Sequence, residues 1–220
     1  MRSVIIGVLS LGVAQLSLAE GVFSAMRWFN EPPSWSARAD ALEMRVPGKT
    51  DYWRGTFYGF TVDDGPFCYQ ERGGEFTACV KVSCRFSARF DHAGLMLRID
   101  AENWLKTGIE FVDGAYNVST VVTHGKSDWS VIRLPKPVES IWLKAERRKD
   151  SVNLYYSLDG KSFEMMRTAW MQDGVGMKVG VMAASPDGDG FDVSFSNFSV
   201  VHVPDSRRLE WLKNNPENVE

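Results

Sequence analysis

An all-β sandwich of two antiparallel sheets is the fold this sequence predicts, on three observations. Period-two alternation of apolar and polar residues runs through most of the chain, and helical periodicity is nearly absent. Turn residues interrupt the alternating runs at short intervals. About a dozen such runs can be counted. That is more than an immunoglobulin-like domain uses and suits a large jelly roll.

The runs are explicit. Leu42, Met44 and Val46 alternate with Glu43 and Arg45, and Phe76, Ala78, Val80 and Val82 alternate with Thr77, Cys79, Lys81 and Ser83. Ile141, Leu143 and Ala145, then Val152, Leu154 and Tyr156, repeat the pattern. Each run has one apolar face, as a half-buried strand requires. Asp63-Asp64-Gly65-Pro66, Gly73-Gly74, Asp113-Gly114, Asp159-Gly160 and Asp187-Gly188-Asp189-Gly190 mark turns. Near the end, Phe191, Val193 and Phe195 share one parity, while Phe198 and Val200 share the other. Both sets point inward only if a bulge sits near Ser196-Asn197.

Residues 25–203 are assigned to the sandwich. Residues 204–220 form a helical tail, with Asp205 or Ser206 as cap, Leu209 and Leu212 on one face, and Pro216 beyond the end. That helix is expected to lie on the sandwich. Residues 1–24 are a signal peptide or an N-terminal extension. Arg2 precedes an uncharged stretch, Ser3 to Ala19, that ends in Ser17-Leu18-Ala19 and reads as a secretory signal cleaved after Ala19. It is too short and too polar for a membrane span. Met26 as an alternative initiator and the odd cysteine count favour a cytoplasmic location instead.

Composition removes several function classes. The formal net charge of −3 offers no basic field to hold nucleic acid or an anionic membrane. Cys68, Cys79 and Cys84 form neither a disulfide framework nor a C-x-x-C pair, so three free thiols are expected. No metal or cofactor motif stands out. Asp187-Gly-Asp-Gly-Phe-Asp192 is rich in oxygen donors but lacks the ligand spacing of a calcium loop, and a Gly/Asp turn explains it. No Glu is followed two residues later by Asp, which excludes the single-strand pair of acids common in sandwich glycosidases.

One constellation remains. Asp91 to Asp113 reads as a hairpin with a turn at Asp100-Ala-Glu-Asn103. Ala93, Leu95, Leu97 and Ile99 on its first strand, and Leu105, Thr107, Ile109 and Phe111 on its second, form one face. The other face carries His92, Arg98, Lys106 and Glu110, with Gly94 and Gly108 leaving room beside them. Such a face can hold a hydroxylated or anionic ligand, or it can be a solvated surface with cross-strand ion pairs. Both faces survive only if opposed residue numbers sum to an even value. A sum of 204 sets Arg98 opposite Lys106, whereas 202 sets Met96 opposite Lys106 and His92 opposite Glu110. Trp53 beside Arg54, and Trp129, are candidate stacking platforms or core and rim.

The stretch Trp28-Phe-Asn-Glu-Pro-Pro-Ser-Trp35 resembles the opening of the regulation-of-enolase family. Asp51-Tyr-Trp-Arg-Gly-Thr-Phe-Tyr-Gly59, Ala93-Gly-Leu-Met-Leu-Arg98, Gly108-Ile-Glu-Phe-Val-Asp-Gly114, Ser127-Asp-Trp-Ser130 and Tyr156-Ser-Leu-Asp-Gly160 follow in family order. The resemblance implies a concanavalin-A-like sandwich with a concave groove, and a role in metabolic regulation in place of a defined reaction. Trp53, Arg54, Arg98, Lys106 and Glu110 take a groove-lining role from it. His92 stands where Gln is expected, and the segment before Trp28 is longer than usual. The first expectation is a non-catalytic domain that binds a carbohydrate or sugar-like metabolite through Trp53, Arg54, His92, Arg98, Lys106, Glu110 and Trp129. The alternatives are a glycosidase or lyase with an atypical site on Glu110, Arg98 and Lys106, and, by resemblance only, a protein-interaction module acting on a glycolytic enzyme.

Overall fold

The computed structural model describes residues 21–202 and 206–218. The candidate signal segment, residues 1–19, lies outside them. The strands, in chain order, are β1 (Arg27–Phe29), β2 (Trp35–Arg38), β3 (Ala41–Pro47), β4 (Tyr52–Arg54), β5 (Thr61–Asp63), β6 (Phe67–Arg72), β7 (Phe76–Cys84) and β8 (His92–Arg98). They continue as β9 (Asn103–Val112), β10 (Ala115–His124), β11 (Lys126–Arg133), β12 (Ser140–Arg148), β13 (Ser151–Ser157), β14 (Glu164–Trp170), β15 (Met177–Ala184) and β16 (Gly190–Val201). One helix, α1 (Ser206–Asn214), follows.

Two seven-stranded antiparallel sheets make the sandwich, ordered β1-β6-β15-β8-β9-β10-β11 and β14-β13-β12-β7-β16-β3-β2. The fold is a concanavalin-A-like jelly roll. Alternation builds its core. Leu95, Leu97, Leu105, Ile109, Val179 and Val181 of the first sheet meet Val80, Val82, Leu143, Val193 and Phe195 of the second in one buried cluster. Burying each such side chain contributes about 1.5–3 kcal/mol. The bulge expected near Ser196-Asn197 is present. The β16–β7 register shifts between Ser196 and Ser199, and Asn197 takes φ 53°. Phe198 is thereby returned to the core beside Phe195. Asp113 and Gly114 both have positive φ, 48° and 74°, the conformation of a tight two-residue hairpin turn between β9 and β10.

A second, smaller cluster lies on the outer face of the first sheet. Met96, Met182, Phe67 and Trp104 are covered there by Tyr52 and Trp53. Those two belong to β4, which pairs only with β5 in a small two-stranded ribbon. The ribbon lies over the sheet and makes the outer face partly internal. The tail keeps part of its expected apolar face in the open. The helix forms; Leu212 is half-buried, but Leu209 and Trp211 stay 55% and 51% exposed. Cys68 and Cys84 are buried, Cys79 is half-buried, and all three are free thiols.

Candidate ligand-binding site

The site begins with the register of β8 and β9. His92 opposes Glu110, Gly94 opposes Gly108, and Met96 opposes Lys106, all summing to 202. The expected even register therefore holds, and Lys106 does not face Arg98. The turn that sets it is an Asx turn, in which the Asp100 carboxylate accepts from the Glu102 and Asn103 backbone N–H groups, each at 2.8 Å. Gly94 and Gly108 have another purpose than leaving room. A Cβ at Gly94 would lie 2.0 Å from the Thr107 carbonyl oxygen, and one at Gly108 would lie 2.2 Å from that of Ala93. The two backbones approach too closely there for any side chain.

The polar groups on this face are buried, not solvated. His92, Lys106, Glu110 and Arg98 are all below 9% exposure. His92 Nδ1 lies 2.7 Å from the Phe90 carbonyl oxygen, which can only accept. Nδ1 therefore carries the proton and Nε2 is an acceptor. Lys106 Nζ donates to that Nε2 at 2.9 Å and to Asp51 Oδ1 at 3.2 Å. Burial, and then the Lys106 charge, push His92 down to about 4, so the ring is neutral at ordinary pH. Burial disfavours the Asp51 carboxylate, but the adjacent Lys106 ammonium and the Tyr52 backbone N–H hold it below the usual carboxylate range. Glu110 goes the other way. Burial raises its pKa against the Lys106 charge and the Ser119 and Trp129 hydrogen bonds. Trp129 Nε1 donates to Glu110 Oε2 at 3.0 Å.

A cavity of about 220 Å³ opens above Lys106 and Glu110. Its walls are aromatic: Trp53, Tyr58, Phe60, Phe90 and Trp129. Two loops shape the mouth, and Asp91 ties them together. Its buried carboxylate accepts from the Ser87 and Ala88 backbone N–H groups at 3.0 and 2.9 Å and from the Ser185 hydroxyl at 2.6 Å. Phe90 is set by a left-handed backbone, φ 66°, and its ring meets Trp129 edge-on at 6.2 Å. A wider depression of about 900 Å³ lies around Trp35, Glu43, Arg45 and Asp192 on the second sheet. It is the larger of the two. However, its Arg45–Asp192 pair is half exposed or more, so it lacks the buried charged groups that orient a ligand.

The structure divides the seven expected site residues. Trp53, Lys106, Glu110 and Trp129 line the cavity, and His92 supports Lys106 from behind. Arg98 and Arg54 do not line it. Arg98 gives a two-pronged ion pair to Asp63 at 2.7 and 2.6 Å, with its guanidinium 4.7 Å above the Phe29 ring. The expectation of a groove-lining, ligand-facing Arg98 is thereby corrected. The β5 end of the covering ribbon brings Asp63 down onto it. Arg54 ties the same ribbon to the sheet through Glu102 at 2.6 Å and the Gly125 carbonyl at 3.3 Å. The sequence argument missed Asp51, Tyr58, Phe60 and Phe90. Asp51, Tyr58 and Phe60 lie in or beside the family-like stretch from Asp51 to Gly59, which was the available signal. Phe90 had none.

The fold and the site define a concanavalin-A-like sandwich with a small, aromatic-walled cavity on the outer face of one sheet. The chain belongs to the family described as "Protein of unknown function (DUF1349)", which it matches over residues 28–203. It is 39% identical over 173 residues to "Regulation of enolase protein 1" of Saccharomyces cerevisiae, covering 79% of this chain and 87% of that protein. A crystal structure of "a functionally unknown protein from Saccharomyces cerevisiae" superposes with a TM-score of 0.80 at 38% identity, over 83% of this chain and 98% of that one. The carbohydrate binding module CBM66 from Bacillus subtilis superposes with a TM-score of 0.52 at 16% identity, over 79% of this chain and 94% of that one. That last likeness is one of fold alone.

Proposed function

We propose that this chain is a non-catalytic binding domain whose ligand is a monosaccharide-sized carbohydrate or sugar-like metabolite, held in the cavity between Lys106, Glu110 and Trp129. One observation carries the reading. Aromatic walls surround a floor that presents both a hydrogen-bond donor and an acceptor, the donor held by the buried His92 and the acceptor by the Trp129 indole. A sugar ring offers C–H faces for the aromatics and hydroxyl groups that both donate and accept, and so matches both parts. The volume of about 220 Å³ suits one ring and excludes a chain threading through. The floor groups are also already placed, so little ordering opposes binding. The fold of a carbohydrate binding module and the name of the yeast relative agree with a sugar-linked, regulatory role.

The test is a thermal-shift titration of the whole chain against neutral monosaccharides, since a ligand that binds only the folded state raises the melting temperature. At least one hexose or pentose should raise it in a saturable manner. Trp129→Ala should abolish that rise, and Trp35→Ala, in the wider depression, should leave it intact. A rise lost only in the Trp35 variant would move the site to the other sheet.

A further inference from the structure

We propose that the preferred ligand of this cavity carries a protonated amine, as an amino sugar does, and that neutral and acidic sugars are bound less well. The inference rests on the binding role proposed above and narrows its ligand class. It begins from the charges that line the cavity. Asp51, Glu110 and Asp187 are three carboxyl groups, and Lys106 is the single cation among the lining residues. His92 adds no charge, because its Nδ1 proton goes to the Phe90 carbonyl and its Nε2 lone pair receives Lys106.

Lys106 is also largely spent. Of its three ammonium protons, one is directed to His92 Nε2 and one to Asp51 Oδ1, leaving one for a ligand. A carboxylate or phosphate entering the cavity would share that one proton and face the carboxyl groups around it. Glu110 is in the opposite situation. None of the ion pairs among the described residues includes it, and its hydrogen-bond partners are the neutral Trp129 indole and Ser119 hydroxyl. Lys106 is its cationic neighbour but is paired with Asp51, so an ammonium group placed beside Glu110 supplies a counter-charge that this buried carboxyl does not have to share.

The walls favour the same ligand. Trp53, Tyr58, Phe60, Phe90 and Trp129 enclose the cavity. The negative faces of aromatic rings attract a cation within about 6 Å, tryptophan most strongly. Tyr58 meets Trp53 edge-on at 5.8 Å and lies against Phe60 at 5.6 Å, so these rings form one continuous wall. Such a wall serves C–H faces and an ammonium equally, while it gives an anion nothing.

The experiment is calorimetric titration of the full chain with glucose, glucosamine, N-acetylglucosamine, glucuronate and choline in the same buffer at neutral pH. Glucosamine should bind at least about tenfold more tightly than glucose. N-Acetylglucosamine, which keeps the nitrogen but loses the charge, should fall back to the glucose value. Glucuronate should bind more weakly than glucose. Glu110→Gln should bring the glucosamine-to-glucose ratio close to one. The acetyl comparison needs no variant, so a poorly folding Glu110→Gln does not blunt the test. Glucose matching glucosamine, or glucuronate exceeding it, overturns the amine inference while the sugar-binding reading stands. Binding of choline with none of the four sugars bound overturns the sugar reading and leaves the cation preference standing. No binding by any of the five overturns both.

Discussion

Arg98 and Lys106 leave the same face of the same hairpin, eight residues apart, and both are almost fully buried. Their surroundings differ. Above Arg98 the covering ribbon descends fully, and Asp63 closes on the guanidinium with two short hydrogen bonds. Above Lys106 the neighbouring strand of the same ribbon contributes Asp51, one residue before the Tyr52–Asp63 pair, and the aromatic segment that follows β4 stands away, leaving the cavity. One cation thus serves to fasten the lid to the sheet, and the other serves as floor. Strand parity decides which face a side chain takes. Whether that face is closed or open is decided by a segment from elsewhere in the chain.

The largest expected effect is on the fastening side. Arg98→Ala should cost roughly 2–4 kcal/mol in urea denaturation, because it strands the Asp63 carboxylate; partial exposure of Asp63 keeps the cost below that of a fully buried pair. The folded fraction should still bind ligand within a few-fold of the parent. A loss under about 1 kcal/mol together with abolished binding would reverse the comparison and return Arg98 to the site.

The next effect belongs to the floor and depends on pH. His92 titrates near 4 in the folded chain against an ordinary value of 6.5. Its neutral form is favoured by folding, so its contribution is intact above pH 6.5 and is lost as pH falls from 6.5 toward 4, by up to about 3 kcal/mol. Asp51, held low, contributes stability that is lost further into acid. Glu110, held high, has the opposite sign, and its part is lost as pH rises through its raised value. His92→Gln can still accept from Lys106 and donate to the Phe90 carbonyl but does not titrate. Denaturation of both proteins between pH 7 and 4 should therefore show a steeper decline for the parent. Parallel curves would mean that burial and the Lys106 charge do not hold His92 neutral.

The smallest effect sharpens the role of Trp129. Trp129→Phe keeps a ring in the wall but removes the donor to Glu110 Oε2 and Ser119 Oγ. It should cost about 1 kcal/mol in stability. Ligand affinity should drop several-fold by calorimetry, since Glu110 loses its orientation. An unchanged affinity would show that the ring alone matters.

Much of this was legible in the sequence, and the boundary follows a physical line. The faces of β8 and β9, their even register and the bulge at Ser196-Asn197 follow from alternation, because a one-residue slip exposes every apolar side chain at once. Trp53, Lys106, Glu110 and Trp129 were all named as candidates, and they meet in one cavity. What alternation could not supply was contact between distant segments. Asp51 and Lys106 are 55 positions apart, and Asp63 and Arg98 are 35 apart. Nothing local marks either pair. The left-handed Phe90 is likewise imposed by its neighbours, since no residue type there favours positive φ. The tail shows a related limit, since of its two apolar residues Leu212 is half-buried and Leu209 is exposed. Leu209 and Leu212 fit a helical stripe, but a stripe does not guarantee a surface to receive it.

The account stands on the cavity above Lys106 and Glu110 being the ligand seat, and the eight tryptophans allow a direct test. In a ¹⁵N-labelled chain, indole N–H resonances should be followed during titration with whichever sugar raises the melting temperature most. Trp129, whose N–H binds Glu110, should shift most, and Trp53 should shift with it. Trp35, in the wider depression of the other sheet, should stay still. Movement of Trp35 with Trp129 and Trp53 unmoved would contradict the assignment.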